Sequence, residues 1–287
     1  MTDVRQSLSR TIASNSNGAS VPICVTIAGS DSGGGAGIQA DIKTFSALNV
    51  YGASVITAIT AQNTLAVTAV HDIPSEIVAA QIDAVFSDIN VASVKIGMVS
   101  VPETIQAIAK GLRHFSGPVV LDPVMVAKSG DRLLSEAAIS TLRERLIPLA
   151  SLLTPNQPEA ACLLDCAIAC NNDEAEAQGR ALLGLGAKAV LMKGGHAEGD
   201  ICTDLLIRKD LPTIKLEAPR IDTQHTHGTG CTLSSAIAAG LGKGLSMEQA
   251  LREAHTYLQA AICSANKLHV GNGHGPVHHF HALWETE

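Results

Sequence analysis

Aromatic residues are scarce, with one Trp, two Tyr and four Phe in 287 residues. A core without large rings must be filled by aliphatic side chains, and Ala, Gly, Val, Ile and Leu are abundant. Such usage suits parallel strands buried on both faces and covered by helices. A basic excess is also missing. The formal net charge of −7 argues against nucleic acid or an anionic membrane as the main partner. No apolar run approaches the ~20 residues of a membrane span. Paired cysteine spacings are lacking too. Cys24, Cys162, Cys166, Cys170, Cys202, Cys231 and Cys263 are scattered and odd in number. With no secretory leader in view, they point to a reducing cytoplasm.

Residues 1–20 are rich in Ser, Thr and Asn without an apolar segment, and are expected to form a disordered tail. No boundary or internal repeat interrupts 21–287, which reads as one domain. Short β-branched or apolar runs alternate with helical ones. Strands are expected at 22–28, 52–60, 91–96, 118–122, 152–153 and 187–193, with helices at 38–48, 74–86, from Pro102, and from Ser135 to Leu146. That alternation is the pattern of right-handed parallel crossovers. A β-ribbon is expected from 201–206 and 213–216, and Ser246 should cap a long amphipathic helix reaching about Ala265.

The strongest local signal is Asp222-Thr-Gln-His-Thr-His-Gly-Thr-Gly-Cys231, leading directly into an Ala-rich apolar run. Small loop formers before a buried helix would aim the amides of Gly228, Thr229, Gly230 and Cys231 outward at the positive end of a helix dipole, a place for phosphate. A thiol there is expected to have a lowered pKa. The competing interpretation is a glycine turn capping a core helix.

Other candidates lie at expected strand ends, where open α/β sheets bind ligands. Gly29-Ser-Asp-Ser-Gly-Gly-Gly-Ala-Gly37 lacks the Lys-Ser/Thr of a P-loop and the spacing of a dinucleotide fingerprint. Gly29 can instead admit a flat substrate, with Asp41 giving it a carboxylate or merely serving as a first-turn helix charge. Asp122 can hold a metal-bridged phosphate, and Lys128 with Gly130 can form a cationic flap or a solvated loop. Asn156 and Glu159, one turn apart, can position Mg²⁺ waters or serve as a helix N-terminus. Lys193, before paired glycines, suits a nucleotide phosphate. Cys162, Cys166 and Cys170 fall at i, i+4 and i+8. They converge poorly on one metal ion and are expected to be core filler on a helix. The four histidines of 274–281 have no acidic partner fixed by spacing.

Together, the Gly-Thr-Gly-Cys loop, Thr-Pro-Asn-x-x-Glu, Leu-Met-Lys-Gly-Gly-His and Ala-Gly-Ser-Asp-Ser-Gly-Gly-Gly-Ala-Gly-Ile-Gln-Ala-Asp resemble the ribokinase-like superfamily. Within it they resemble the hydroxymethylpyrimidine/phosphomethylpyrimidine kinases of thiamine synthesis, from about Val21 through the histidine tail. The resemblance implies an α/β three-layer sandwich, with a mostly parallel central sheet flanked by helices. It implies MgATP-dependent phosphorylation of 4-amino-5-hydroxymethyl-2-methylpyrimidine and then of its monophosphate. Carried across, Gly29, Asp41, Gln62, Met98 and Val124 would surround the pyrimidine. Asn156, Glu159, Lys193 and Thr223 would serve ATP, and Asp122 and Glu159 the Mg²⁺. Gly228, Thr229, Gly230, Cys231 and Lys128 would act in catalysis. Cys231 stands where the sugar kinases of the superfamily carry an Asp base, a substitution that the pyrimidine kinases share. A homodimer is also implied. Alternatives are a pyridoxal or pyridoxine kinase of the same fold, and a sensor that binds the vitamin precursor without turnover.

Overall fold

Short aliphatic strands with few polar residues can be satisfied only by burial on both faces, and the chain does this with nine strands in one sheet among its described residues. The computed structural model describes residues 21–125, 134–195 and 199–284. The strands are β1 (Ile23–Asp31), β2 (Tyr51–Gln62), β3 (Val67–Asp72), β4 (Ser93–Ile96), β5 (Val119–Leu121), β6 (Leu152–Leu153), β7 (Ala189–Met192), β8 (Ile201–Arg208) and β9 (Ile214–Pro219). Their order is β3-β2-β1-β4-β5-β6-β7-β8-β9. From β2 to β7 neighbours run parallel, while β3, β8 and β9 add antiparallel edges.

Eight α-helices lie among the described residues: α1 (Gly37–Ala47), α2 (Ser75–Asp88), α3 (Pro102–Gly111), α4 (Glu136–Arg145), α5 (Gln157–Leu164), α6 (Asn172–Leu183), α7 (Thr229–Gly242) and α8 (Met247–Cys263). Alternate strand residues divide the core between them. Val25, Ile27, Val119, Leu121 and Val190 pack with side chains of α2 to α6. Cys24, Val120, Leu152 and Leu191 pack with those of α1, α7 and α8. The result is the expected three-layer sandwich, held by the period-two alternation of strands buried on both faces.

The strand and helix expectations hold with shifted ends, and Ser246 caps α8 through a capping box with Gln249. Two elements were not anticipated: the hairpin strand β3 and helix α6. The cysteine expectation fails. Helix α5 ends at Leu164 with Asp165 in the left-handed conformation, so Cys166 and Cys170 lie beyond it, and all three thiols are exposed. Residues 1–20 and Lys128 lie outside the described residues. No helix among those described is long and apolar enough to cross a membrane.

Position β1 is the topological switch. The chain leaves it outward to β2 and β3, then returns across it to β4. The crevice at the carboxyl ends beside such a reversal is where ligands bind in open α/β sheets.

Candidate active site

Helix α7 runs through the interior on an almost wholly buried stretch from Thr232 to Gly240. Burial of an aliphatic side chain such as Leu233 or Ile237 contributes about 1.5–3 kcal/mol, so the helix start is firmly placed. Its N-cap, Gly228, has φ +82°, and a Cβ there would lie 1.9 Å from the Gly35 carbonyl oxygen. Only glycine allows this close approach of the two glycine-rich loops.

The loops divide the labour unequally. Asp31 consumes the amides of the first: its Oδ1 accepts from Gly33, its Oδ2 from Gly35 and Ala36, and its carbonyl from Gly34. That loop is folded around Asp31, whose carboxylate and carbonyl take the amides of Gly33 to Ala36. In the second, Thr229 donates to the Thr226 carbonyl at 3.4 Å. The N–H groups of Gly230 and Cys231 have no acceptor among the described residues. They lie open at the helix's positive end, the kind of place where an anion is favoured.

Facing those amides is a cluster of charge from three strand ends. Lys193, just after β7, donates to Asp122 Oδ1 at 2.7 Å and lies 3.7 Å from Glu159 Oε2. Asp122, just after β5, also accepts from Thr154 and, at 3.3 Å, from Ser234 of α7. A Cβ on Gly230 would lie 3.5 Å from both Asp122 Oδ2 and Lys193 Nζ, so the cluster abuts the start of α7. Burial opposes ionisation of Asp122, yet Lys193 and Lys95 outweigh it and hold the carboxyl below its usual range. Burial raises Glu159, with Lys193 opposing and Asp122 adding.

Cys231 keeps a partly exposed surface, although protein surrounds it as densely as the interior. Its electrostatics reverse the sequence expectation. Burial pushes the thiol up to about 11; Lys95 and the Gly37 amide pull it down, while Asp41 and Asp122 push it up. The thiol is therefore neutral at pH 7.

Gly29, Gln62, Met98 and Val124 lie near or just after the carboxyl ends of β1, β2, β4 and β5. The side chain of Met98 lies over Gly29, where a Cβ would come within 2.5 Å of its Cε. Gln62 sits beside His227 at 3.4 Å and accepts from Thr60. His227 is itself 2.8 Å from Asp31.

Three expected residues have other partners. Asp41 is fully buried: it binds Lys95 through both oxygens at 2.8 Å and accepts from Thr26 and Ser235 at 2.6 Å. No oxygen is turned to a ring in the cleft. The Asn156 side-chain oxygen, expected to orient Mg²⁺ waters, caps the Glu159 amide, and Glu159 returns the bond in a capping box. Thr223 donates to Asn266 and accepts from the His225 amide, which fixes its own loop.

Sequence reasoning passed over Lys95, fully buried on β4. A lysine inside Ser-Val-Lys-Ile, flanked by aliphatic residues on a central strand, was the available signal.

The phosphomethylpyrimidine kinase family profile matches residues 31–278. This chain belongs to that family. Over 263 residues it is 59% identical to the hydroxymethylpyrimidine/phosphomethylpyrimidine kinase of Rhizobium meliloti, covering 92% of this chain and 98% of that one. The crystal structure of phosphomethylpyrimidine kinase from Clostridium difficile superposes with a TM-score of 0.74 at 47% identity, over 84% of this chain and 99% of that one. An ADP complex of Bacillus subtilis pyridoxal kinase superposes with a TM-score of 0.85 at 35% identity, over 92% and 100% of the two chains. The phosphomethylpyrimidine kinase fold is thus shared with kinases whose named substrate is a different hydroxymethyl heterocycle. The tail histidines of this family member diverge. His279 meets Thr232, His281 lies tilted against Tyr257, and His278 meets Trp284 edge-on. No metal-holding group of three or more His, Cys, Asp or Glu occurs among the described residues.

Proposed function

We propose that this protein transfers the γ-phosphoryl group of ATP to the hydroxymethyl oxygen of 4-amino-5-hydroxymethyl-2-methylpyrimidine, and then to the resulting monophosphate, for thiamine synthesis. The observation that carries the reading is the juxtaposition of the unbonded Gly230 and Cys231 amides with the Asp122–Lys193 pair. Phosphoryl transfer demands little covalent chemistry from the protein, but it does demand donors aimed at the charge on the transferring group. Those amides and Lys193 supply them.

In this reading the pyrimidine lies between Gly29, Gln62, Met98 and Val124, with the Gln62 amide reading the ring's polar edge. Cys231, a neutral thiol at rest, orients the hydroxymethyl oxygen. Lys193 and Glu159 face the nucleotide, and Lys128 is a separate proposal for covering it. The donor set fits Mg²⁺, which is commonly held by one or two carboxylates and substrate phosphates: Asp122 stays ionised and directs Oδ2 toward the start of α7. Bound there, Mg²⁺ would neutralise phosphate charge. Seven free cysteines support a cytoplasmic setting. The homodimer implied by resemblance is to be tested by light scattering.

The superposition on pyridoxal kinase supports a second reading, in which a B6 vitamer takes the pyrimidine's place. Measuring MgATP consumption and product mass with hydroxymethylpyrimidine, its monophosphate and pyridoxal side by side separates the two. Diphosphate from the first two substrates is expected. Turnover of pyridoxal alone would overturn the substrate and keep the site, and silence on all three would restore the sensor.

A further inference from the structure

The Asp31–His227 pair joins the two glycine-rich loops, and the proposed reaction gives it no task. Asp31, at the end of β1, is buried and accepts from the amides of Gly33, Gly35 and Ala36. Its Oδ2 also lies 2.8 Å from Nε2 of His227, the residue before the N-cap of α7. A carboxylate serving several N–H groups can only accept, so the proton of this bond belongs to His227 Nε2. Burial works against ionisation of Asp31, yet the His227 bond and the Ala36 amide hold its carboxyl below the usual range.

The same imidazole nitrogen meets Gln62. At its root Gln62 is pinned by Ser32, whose Oγ accepts from the Gln62 amide at 2.8 Å and donates to its carbonyl at 2.7 Å. At its tip, one end of the carboxamide stands 3.4 Å from His227 Nε2 and the other 3.1 Å from Thr60 Oγ1. The two ends of a carboxamide are alike in shape, so their neighbours decide which is oxygen. With nitrogen toward His227, two N–H donors confront each other. Thr60 would also have to donate twice, because its hydroxyl lies 3.0 Å from the Ser30 carbonyl and carries a single proton. With oxygen toward His227, the carboxamide accepts from the imidazole and donates to Thr60, which donates to Ser30. Each contact is then complementary. Thr60 can redirect its proton, but His227 Nε2, held by Asp31, cannot.

Beyond these bonds Gln62 has one N–H and one oxygen lone pair left for a ligand. They match an edge that pairs an exocyclic amino group with a ring nitrogen, as in a 4-aminopyrimidine. A 4-oxo ring presents the reverse, a carbonyl beside a ring N–H. We propose that His227 is a positioning residue that sets substrate specificity: held by Asp31, its Nε2–H fixes the Gln62 carboxamide in the orientation that accepts an aminopyrimidine and rejects the oxo counterpart. The proposal rests on the reading above in which Gln62 faces the ring. His227 acts through Gln62 and needs no contact with substrate.

The test compares kcat/KM for 4-amino-5-hydroxymethyl-2-methylpyrimidine with that for its 4-oxo analogue. The wild type should favour the amino compound about 100-fold, for two mismatched bonds at about tenfold each. His227→Leu frees the carboxamide to turn, so this ratio should fall about tenfold, through pyrimidine KM rather than kcat. His227→Gln returns an N–H to Asp31 and should restore the ratio. An unchanged ratio in folded His227→Leu would overturn the proposal, and a ratio lowered alike in both variants would reduce His227 to a structural role. Should His227→Leu unfold, the wild type decides by nuclear magnetic resonance. The Gln62 side-chain N–H₂ signals, assigned by their absence in Gln62→Ala, should show nuclear Overhauser contacts to the Thr60 methyl. Contacts to the His227 ring instead would refute the orientation and the proposal with it. Failure of the wild type to phosphorylate either ring would refute the kinase substrate, while the Overhauser contacts would still decide what His227 does to Gln62.

Discussion

A neutral thiol stands at the mouth of α7 where two amides are open, and single-residue replacements there test the role proposed for it. Cys231→Ala removes the thiol proposed to orient the hydroxymethyl oxygen and should lower kcat about tenfold, matching the loss of one good hydrogen bond, with KM for ATP nearly unchanged. Steady-state kinetics decides this, and an unaltered kcat would remove Cys231 from the reaction. Gln62→Ala removes a polar contact to the ring and should raise pyrimidine KM about tenfold, the equivalent of one good hydrogen bond. An effect on ATP KM instead would move Gln62 to the nucleotide side. Residues such as Gln62, Asp122 and Lys193 were legible because each follows a recognisable strand, and strand ends gather at one edge. Asp41 and Lys95 were not. Their partnership depends on β1, β4, α1 and α7 meeting in space, across 54 residues between the two charges. Likewise, a dipole argument alone predicted an acidic thiol at Cys231, and burial with two carboxylates nearby overturned it.

Secondary-structure elements are held by local chemistry that competes with function for the same atoms. Asn156 is the clearest instance, because its side-chain oxygen accepts from Glu159 at 2.8 Å. Asn156→Ala should destabilise the fold by about 1 kcal/mol, the usual cost of losing an N-cap, as seen by denaturant unfolding. A large rise in ATP KM without loss of stability would show that the amide serves the nucleotide. Gly228→Ala is expected to be more severe. It forces φ +82° on a residue with a Cβ and drives that atom into the Gly35 carbonyl, so both loops must part and turnover should be lost. The parallel strands and α7 could be read from apolar runs bounded by glycine. Strand β3 could not, since at the sheet edge most of Val67–Asp72 is exposed and its composition carries no inside–outside alternation. The cysteines at 162, 166 and 170 misled for the complementary reason: regular spacing implied a helix that Asp165 had already ended.

Across the molecule, the C-terminal segment couples stability to pH. His279 is buried beside Thr232. Burial first, then Lys43 and the neighbouring histidines, lowers its pKa from 6.5 to about 3. The folded state therefore favours the neutral ring. Its contribution is intact above pH 6.5 and is lost as pH falls from there toward 3, by about 1.4 kcal/mol per pH unit. Melting temperature should decline over that range, and His279→Gln should flatten the decline. An equal slope in the variant would assign the effect to other groups.

The same segment has a consequence in time. Gly273 and His274 bond to Thr64 on the β2–β3 hairpin, while Gly275 and Val277 pair with His227 beside the start of α7. Thr64 precedes Gly273 by 209 positions, so the β2–β3 hairpin is made well before the segment that braces it. Chains emerge N-terminus first, at about 5–20 residues per second. The sheet and the hairpin can thus form first, and the contacts of 273–277 with Thr64 and His227 are added only after that segment has emerged.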